Sequence, residues 1–309
     1  MHWRNKVYIQ FVLAHLPQGE KVNFLLQKMN GRHNSQEAKG RIGKPIENVK
    51  FIRPHLNFEG SRVVEIGTGW LPVNTLVLYL CGAKEIHTYD HVRHLRLEVA
   101  QTAVEGLKGE VAALSDGLSL PKDVILKRLS VFDGARDLET FFKRANINYV
   151  APGDASKTGL AANSIDLVYS YAVLEHIPED AIDAINVEVA RVLKPAGVAY
   201  HGIGLHDHYV SADKTISKVN FLQYSEAWWK FFVKNKISYH NRLREKDFIE
   251  RFEKSGARIT ARLSKTDPRD LEALKTMRID PRFSRFTPEE LAVTGSEVIL
   301  TYRPDLPMQ

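Results

Sequence analysis

Cysteine is almost absent from this chain of 309 residues, Cys81 being the single one. That excludes an intramolecular disulfide framework and any cysteine-based zinc cluster, and it suits a reducing compartment. Long apolar runs are missing too. No stretch approaches the ~18 residues of a membrane span, and the start, Met1-His-Trp-Arg-Asn-Lys, lacks the apolar core and small-residue cleavage site of a secretory signal. A cytoplasmic location is the expectation. Acidic side chains are scarce in residues 1–60, which hold four against ten basic ones. The formal net charge of the whole chain is +6, so the surplus belongs to that segment and the remainder is neutral by count.

What is present is ordinary globular material, 44% hydrophobic and 26% charged, enough for one large domain or two small ones. Two apolar stretches at helical spacing, Val7/Tyr8/Phe11/Val12 and Val22/Leu25/Leu26/Met29, flank Pro17 and Gly19 and predict two short helices. Residues 30–48 are polar and Gly/Lys-rich and read as a lid or linker. From Arg62 the pattern alternates: a strand at Arg62–Gly67, a helix at Asn74–Cys81, a strand at Glu85–Asp90, a helix over 92–108, and an irregular helical stretch over 109–145. Ser164–Ser170 and Gly197–Ile203 are strands around a helix at Ala181–Leu193; a helix at 243–254 and strands at Ala257–Leu263 and Ser296–Tyr302 complete the chain. Such alternation implies a mostly parallel sheet covered on both faces.

Val63-Val-Glu65-Ile-Gly67-Thr68-Gly69-Trp70 places two glycines between a buried strand and a helix. Glycine permits the sharp turn and the close approach of a ligand, and the helix that follows offers free N–H groups. A nicotinamide dinucleotide site would want a third glycine at position 72, which is Pro72. Asp90, ending the second strand, can accept both hydroxyls of a ribose, and Asp154 can accept from an adenine amino group.

Taken together, Val-Val-Glu65-Ile-Gly67-Thr-Gly69, Tyr89-Asp90, Gly153-Asp154-Ala155, Ser164–Ser170, Ala172-Val-Leu-Glu-His176-Ile and Glu188–Gly197 resemble class I S-adenosylmethionine-dependent methyltransferases. The resemblance spans residues 60–205 in order. It implies a Rossmann-like α/β fold with a mostly parallel seven-stranded sheet and helices on both faces. It implies S-adenosylmethionine as cofactor, met by Glu65, Gly67, Thr68, Gly69, Asp90, His91, Asp154, Ala155 and Tyr171. Trp70 departs from the usual small residue after the second glycine. The domain reading is a basic N-terminal helical extension or lid, 1–60, and a methyltransferase domain, 61–309, with insertions at about 109–145 and 209–240. The second insertion, rich in aromatics, reads as a cap or as the core of a helical subdomain.

His176 follows the fourth strand, and His206, Asp207 and His208 follow the fifth, where open α/β sheets bind ligands. His176, His206 and His208 are the candidate general bases for a hydroxyl acceptor; Asp207, Tyr239 and Arg242 are candidate substrate contacts. In strand geometry His206 and His208 share a face. No metal is expected, because no H-x-x-x-H helix supplies further ligands. The expected activity is methylation, by O-transfer, of a small polar metabolite or glycan-like precursor. An NAD-dependent oxidoreductase and a non-catalytic S-adenosylmethionine-binding module are the alternatives. Nucleic acid is not an expected partner, since no block of like charges or RNA-binding motif is present; peripheral membrane contact and a homodimer stay open.

Overall fold

The computed structural model describes residues 1–29 and 34–302. Seven strands form one sheet: β1 (Arg62–Ile66), β2 (Glu85–Tyr89), β3 (Ile147–Val150), β4 (Ile165–Tyr171), β5 (Leu193–Gly204), β6 (Arg258–Thr266) and β7 (Val293–Thr301). Their order is β3-β2-β1-β4-β5-β7-β6. β1 pairs in parallel with β2 on one side and β4 on the other, Val63 facing Ile86 and Leu167, and β3 pairs in parallel with β2. The order therefore reverses at β1, which makes the turn after β1 the switch point where such sheets open a crevice. The apolar run Val63, Val64 and Ile66 is buried, as expected for a parallel strand covered on both faces.

The chain divides into two compact units. One comprises 27–170, 187–200 and the chain from Ile299 onward. It holds β1 to β3 and most of β4. Val73–Leu80 buries Val73, Leu76, Val77, Leu78 and Leu80, and Leu97–Lys108 buries Val99, Ala100, Ala103, Val104 and Leu107. The expected irregular stretch resolves into three helices, Val111–Leu118, Lys122–Ser130 and Leu138–Lys143.

Residues 30–48, read as a lid or linker, are helical over most of their described part, with residues 30–33 lying outside it. Ser35–Arg41 and Gly43–Ile52 are helices. Asn34 caps the first, its Oδ1 accepting from the Glu37 amide at 2.9 Å, and Ala38, Ile42, Ile46, Val49 and Ile52 are buried at helical spacing. A Cβ on Gly106 would stand 2.6 Å from that of Ala38. The two helices thus approach closely, and the polar composition conceals a sparse apolar stripe.

The other unit comprises 1–26, 171–186 and 201–298. Its core joins the aromatic insertion to the N-terminus: Trp3, Val7, Tyr209, Val219, Phe221, Leu222, Trp229, Val233, Leu274, Phe283 and Leu291 are buried together. Trp3 stands 5.3 Å from Tyr224 and 6.0 Å from Tyr209 between ring centres, and its amide donates to Asp213 at 3.0 Å. The two expected N-terminal helices are Trp3–His15 and Gly19–Met29. Among the described residues no helix is long and apolar enough to cross a membrane.

Candidate active site

The glycine turn after β1 is organised around a buried carboxylate. Glu65 is 1% exposed, and its Oε2 accepts from the hydroxyls of Thr75 (2.5 Å) and Thr88 (2.7 Å). With Thr88 donating to Glu65, the Thr68 hydroxyl donates to Thr88 at 2.5 Å, so a chain of polarised hydrogen bonds runs from the turn into the core. Burial pushes the Glu65 carboxyl up to about 7 against these bonds, the nearby Asp90 adding to the rise. Gly67 and Gly69 both have positive φ, 85° and 68°, which side chains rarely adopt. A Cβ on Gly69 would meet no atom within 4 Å. That open cradle is what a ligand against the backbone requires.

Asp90 closes this turn. Its Oδ2 accepts from the Gly69 amide at 2.8 Å and its Oδ1 from the Val92 amide at 3.3 Å, while His91 stands 3.4 Å from Oδ1. Burial would raise the Asp90 carboxyl, yet the bonds from His91, Gly69 and Val92 outweigh it and hold the group below its usual range. Asp90 thus stays ionised, with lone pairs to spare for hydroxyl donors. The loop bearing Asp154 is tied to the same residue by the Gly153 amide, which donates to the Asp90 carbonyl at 2.8 Å. Asp154 itself is exposed, with Oδ1 accepting from the amide and hydroxyl of Ser156; Ala155 beside it is half-buried. The structure thus brings Glu65, Gly67, Thr68, Gly69, Asp90 and His91 together in one unit.

Sequence reasoning missed the supports of this site. Thr75, from the helix Val73–Leu80, and Thr88, opposite Glu65 on the paired strand β2, hold the Glu65 carboxylate; the threonine facing an acid across paired strands was the signal for Thr88 alone. The departing Trp70 stacks on His94 at 4.2 Å with 25° between planes, which gives that bulky residue a defined position.

In the other unit, Tyr171 ends β4 half-buried, followed by Ala172 at φ 56°, an uncommon conformation for a residue with a Cβ. The short helical turn Leu174–His176 follows. His176 is exposed, and its Nδ1 donates to the Tyr239 carbonyl at 2.8 Å, leaving Nε2 as the acceptor. Its ring lies 4.9 Å from that of His208, which lies 5.1 Å from His206 and 4.6 Å from His240. The three candidate bases are therefore assembled. β5 ends at Gly204 and residues 208–211 form a 3-10 turn, so His206 and His208 stack without a continuing strand. His206 is anchored by the Thr294 backbone, and burial lowers its imidazole below the usual range. Burial drives His208 further down, helped by its histidine neighbours, and takes His240 to about 3. These imidazoles are neutral near pH 7.

Three expected substrate contacts are placed differently from one another. Tyr239 is half-buried and orients His176 through its carbonyl. Asp207 is buried; it accepts from the Tyr209 amide at 2.8 Å and from Asn220 at 3.0 Å, and burial pushes its carboxyl up to about 6. Arg242, expected to meet a substrate, is 2% exposed and engaged within the unit. It donates to the carbonyls of Phe221 and Tyr224 and to Glu226, because a guanidinium taken from water must satisfy its fork locally.

A family profile described as a methyltransferase domain matches residues 132–201. No curated protein sequence matches the chain. Among solved structures, the PH0226 protein from Pyrococcus horikoshii OT3 is 14% identical, with 88% of this chain and 94% of that chain covered and a TM-score of 0.50. At that identity the likeness shows the fold alone. Geranyl diphosphate C-methyltransferase from Streptomyces coelicolor A3(2) is 10% identical, covering 82% of this chain and 77% of its own, with a TM-score of 0.44; this weaker likeness carries no argument. The profile match over residues 132–201 falls on a seven-stranded sheet that reverses at the glycine turn, so methyltransferase-domain sequence is carried on this fold.

Proposed function

We propose that the enzyme methylates an oxygen of a small polar acceptor, a metabolite or glycan-like precursor, with a histidine of the cluster removing the proton. The cofactor, when bound, supplies an electrophilic methyl group; the chain's task is to orient the acceptor, exclude water and take the proton. In this reading residues 61–309 form the methyltransferase domain and 1–60 an extension of it. Glu65, Gly67, Thr68 and Gly69 form the cradle for the methionine end, Asp90 binds the ribose, and Asp154 and Ala155 line the adenine side.

The observation that carries the acceptor chemistry is the pair of pre-oriented imidazoles. His176 and His206 each have one nitrogen held by backbone, from Tyr239 and Thr294 respectively, which fixes the tautomer and leaves the other nitrogen to accept. An amine acceptor would need only to be neutral; a hydroxyl needs such a base. The His206 imidazole, which burial lowers below its usual range, is neutral near pH 7 and can act so, and a positioned base contributes about 10²–10⁴-fold. Single His176→Ala and His206→Ala variants, assayed with labelled methyl donor at saturation against pools of hydroxylated metabolites, should lose at least about a hundredfold in kcat while binding cofactor as before. Undiminished turnover in both variants would overturn the base assignment.

A further inference from the structure

The histidine cluster contains a feature that proton transfer does not use. Glu175 is 2% exposed, yet only one of its oxygens is engaged: Oε1 accepts from the Gly204 amide at 3.0 Å, and Oε2 is buried without a partner. A buried carboxylate oxygen left unmatched costs heavily, so a ligand there is the economical explanation. His208 presents a second such atom, its Nδ1 being buried and unpartnered. Beside them stands His176, whose Nδ1–H is already donated to the Tyr239 carbonyl. That is the outer-shell bond that orients a metal-ligating imidazole and exposes its Nε2. One ligand atom from each of Glu175, His176 and His208 lies within 4.8 Å of the others.

We propose that Glu175, His176 and His208 bind a divalent transition-metal ion, of which Zn²⁺ is the probe. Two imidazoles and one carboxylate suit such an ion and leave a coordination position open. Bonds of about 2.0–2.2 Å require the three atoms to draw together by roughly 1 Å, a side-chain movement. The proposal rests on the acceptor-site reading and refines it. The open position takes an acceptor oxygen, the ion makes that hydroxyl more acidic, and the proton falls to His206, the imidazole of the oriented pair outside the ligand set. The acceptor class narrows to compounds offering a hydroxyl, alone or beside a second oxygen, to a metal. No regular motif announces this site: Glu175 and His176 come from the turn after β4, and His208 from beyond β5.

The test uses the full-length chain, stripped by a chelator and titrated with Zn²⁺ against a chromophoric competitor. Wild type should bind one equivalent saturably, and Zn²⁺ should raise its thermal midpoint. His176→Ala, an exposed change that leaves the core intact, and Glu175→Gln should each weaken binding at least about tenfold to a hundredfold. His91→Ala, remote in sequence and outside the set, should bind as wild type does. Absence of saturable binding, or equal affinity in wild type, His176→Ala and Glu175→Gln, would overturn the proposal. Zinc binding is read without methyl transfer. A chain that binds Zn²⁺ through these residues yet methylates no hydroxyl would defeat the functional reading alone. A chain that methylates but binds no Zn²⁺ would defeat the metal site alone.

Discussion

Replacing Glu65 by glutamine should flatten the pH dependence of stability. Burial raises the folded carboxyl from 4.5 to about 7, so the folded chain holds that proton more tightly than the unfolded chain. The associated stability is complete below about pH 4.5 and is lost as pH rises through about 7. At about 1.36 kcal/mol per pKa unit, the full loss is on the order of 3 kcal/mol, of which roughly 2 to 3 kcal/mol falls between about pH 5 and pH 8. Glutamine keeps a carbonyl oxygen for the Thr75 and Thr88 hydroxyls and has no proton to lose. The assay is urea unfolding of wild type and Glu65→Gln at several pH values, comparing free energies from midpoint and slope. Wild type should lose stability relative to the variant by that amount across the interval. Buried His201 and His240, both held down to about 3, act with the opposite sign, since their contribution is present above pH 6.5 and lost as pH falls. They are common to both chains and cancel in the difference. Parallel profiles for the two proteins would refute the argument, showing that Glu65 stays ionised in the fold.

Further outcomes follow from particular contacts. Asp90→Ala should weaken S-adenosylhomocysteine binding by about tenfold to a hundredfold, the worth of charge-assisted hydrogen bonds, and calorimetric titration would show it; an unchanged Kd would remove Asp90 from the ribose site. Arg244 is fully buried and donates to the carbonyls of Leu205, Leu291 and Val293. Arg244→Met should therefore cost at least about 3 kcal/mol in urea unfolding, because three buried acceptors lose their donor; a cost under about 1 kcal/mol would mean that they are not dry. Ala172→Gly should stabilise by about 1 kcal/mol by relieving the positive φ, whereas Ala172→Val should destabilise, since a β-branched residue fits that region worst; the order of thermal midpoints decides.

The local grammar of the chain was well exposed in its residues. Val63-Val-Glu65-Ile before Gly67 and Gly69 is a strand that must turn, and the positive φ at both glycines is the demand that their identity announced. Six of the seven strands and the helices between them were readable to within about five residues, because periodicity is a property of neighbouring residues, whereas the short β3 (Ile147–Val150) was given no range. The helices at Ser35–Arg41 and Gly43–Ile52 escaped notice because their apolar stripe is thin. Asp207 was legible as a polar residue after a strand and Arg242 as one at the start of a helix, but neither as a side chain engaged inside the unit.

That division has a physical cause. The order of elements, the glycine turn, the acidic residue ending β2 and the lack of a disulfide framework follow from residue identity and short-range spacing, and these the sequence determined by itself. Whether a polar side chain meets solvent, ligand or core depends on chain segments far apart in sequence. Tertiary structure alone decided that Trp3 packs with Tyr209 and Tyr224. It decided that Thr88 braces Glu65. It also decided that Glu175, His176 and His208, some thirty residues apart, converge to within 4.8 Å. Burial and long-range closure set those outcomes, because desolvation costs are felt only once the fold has removed the water.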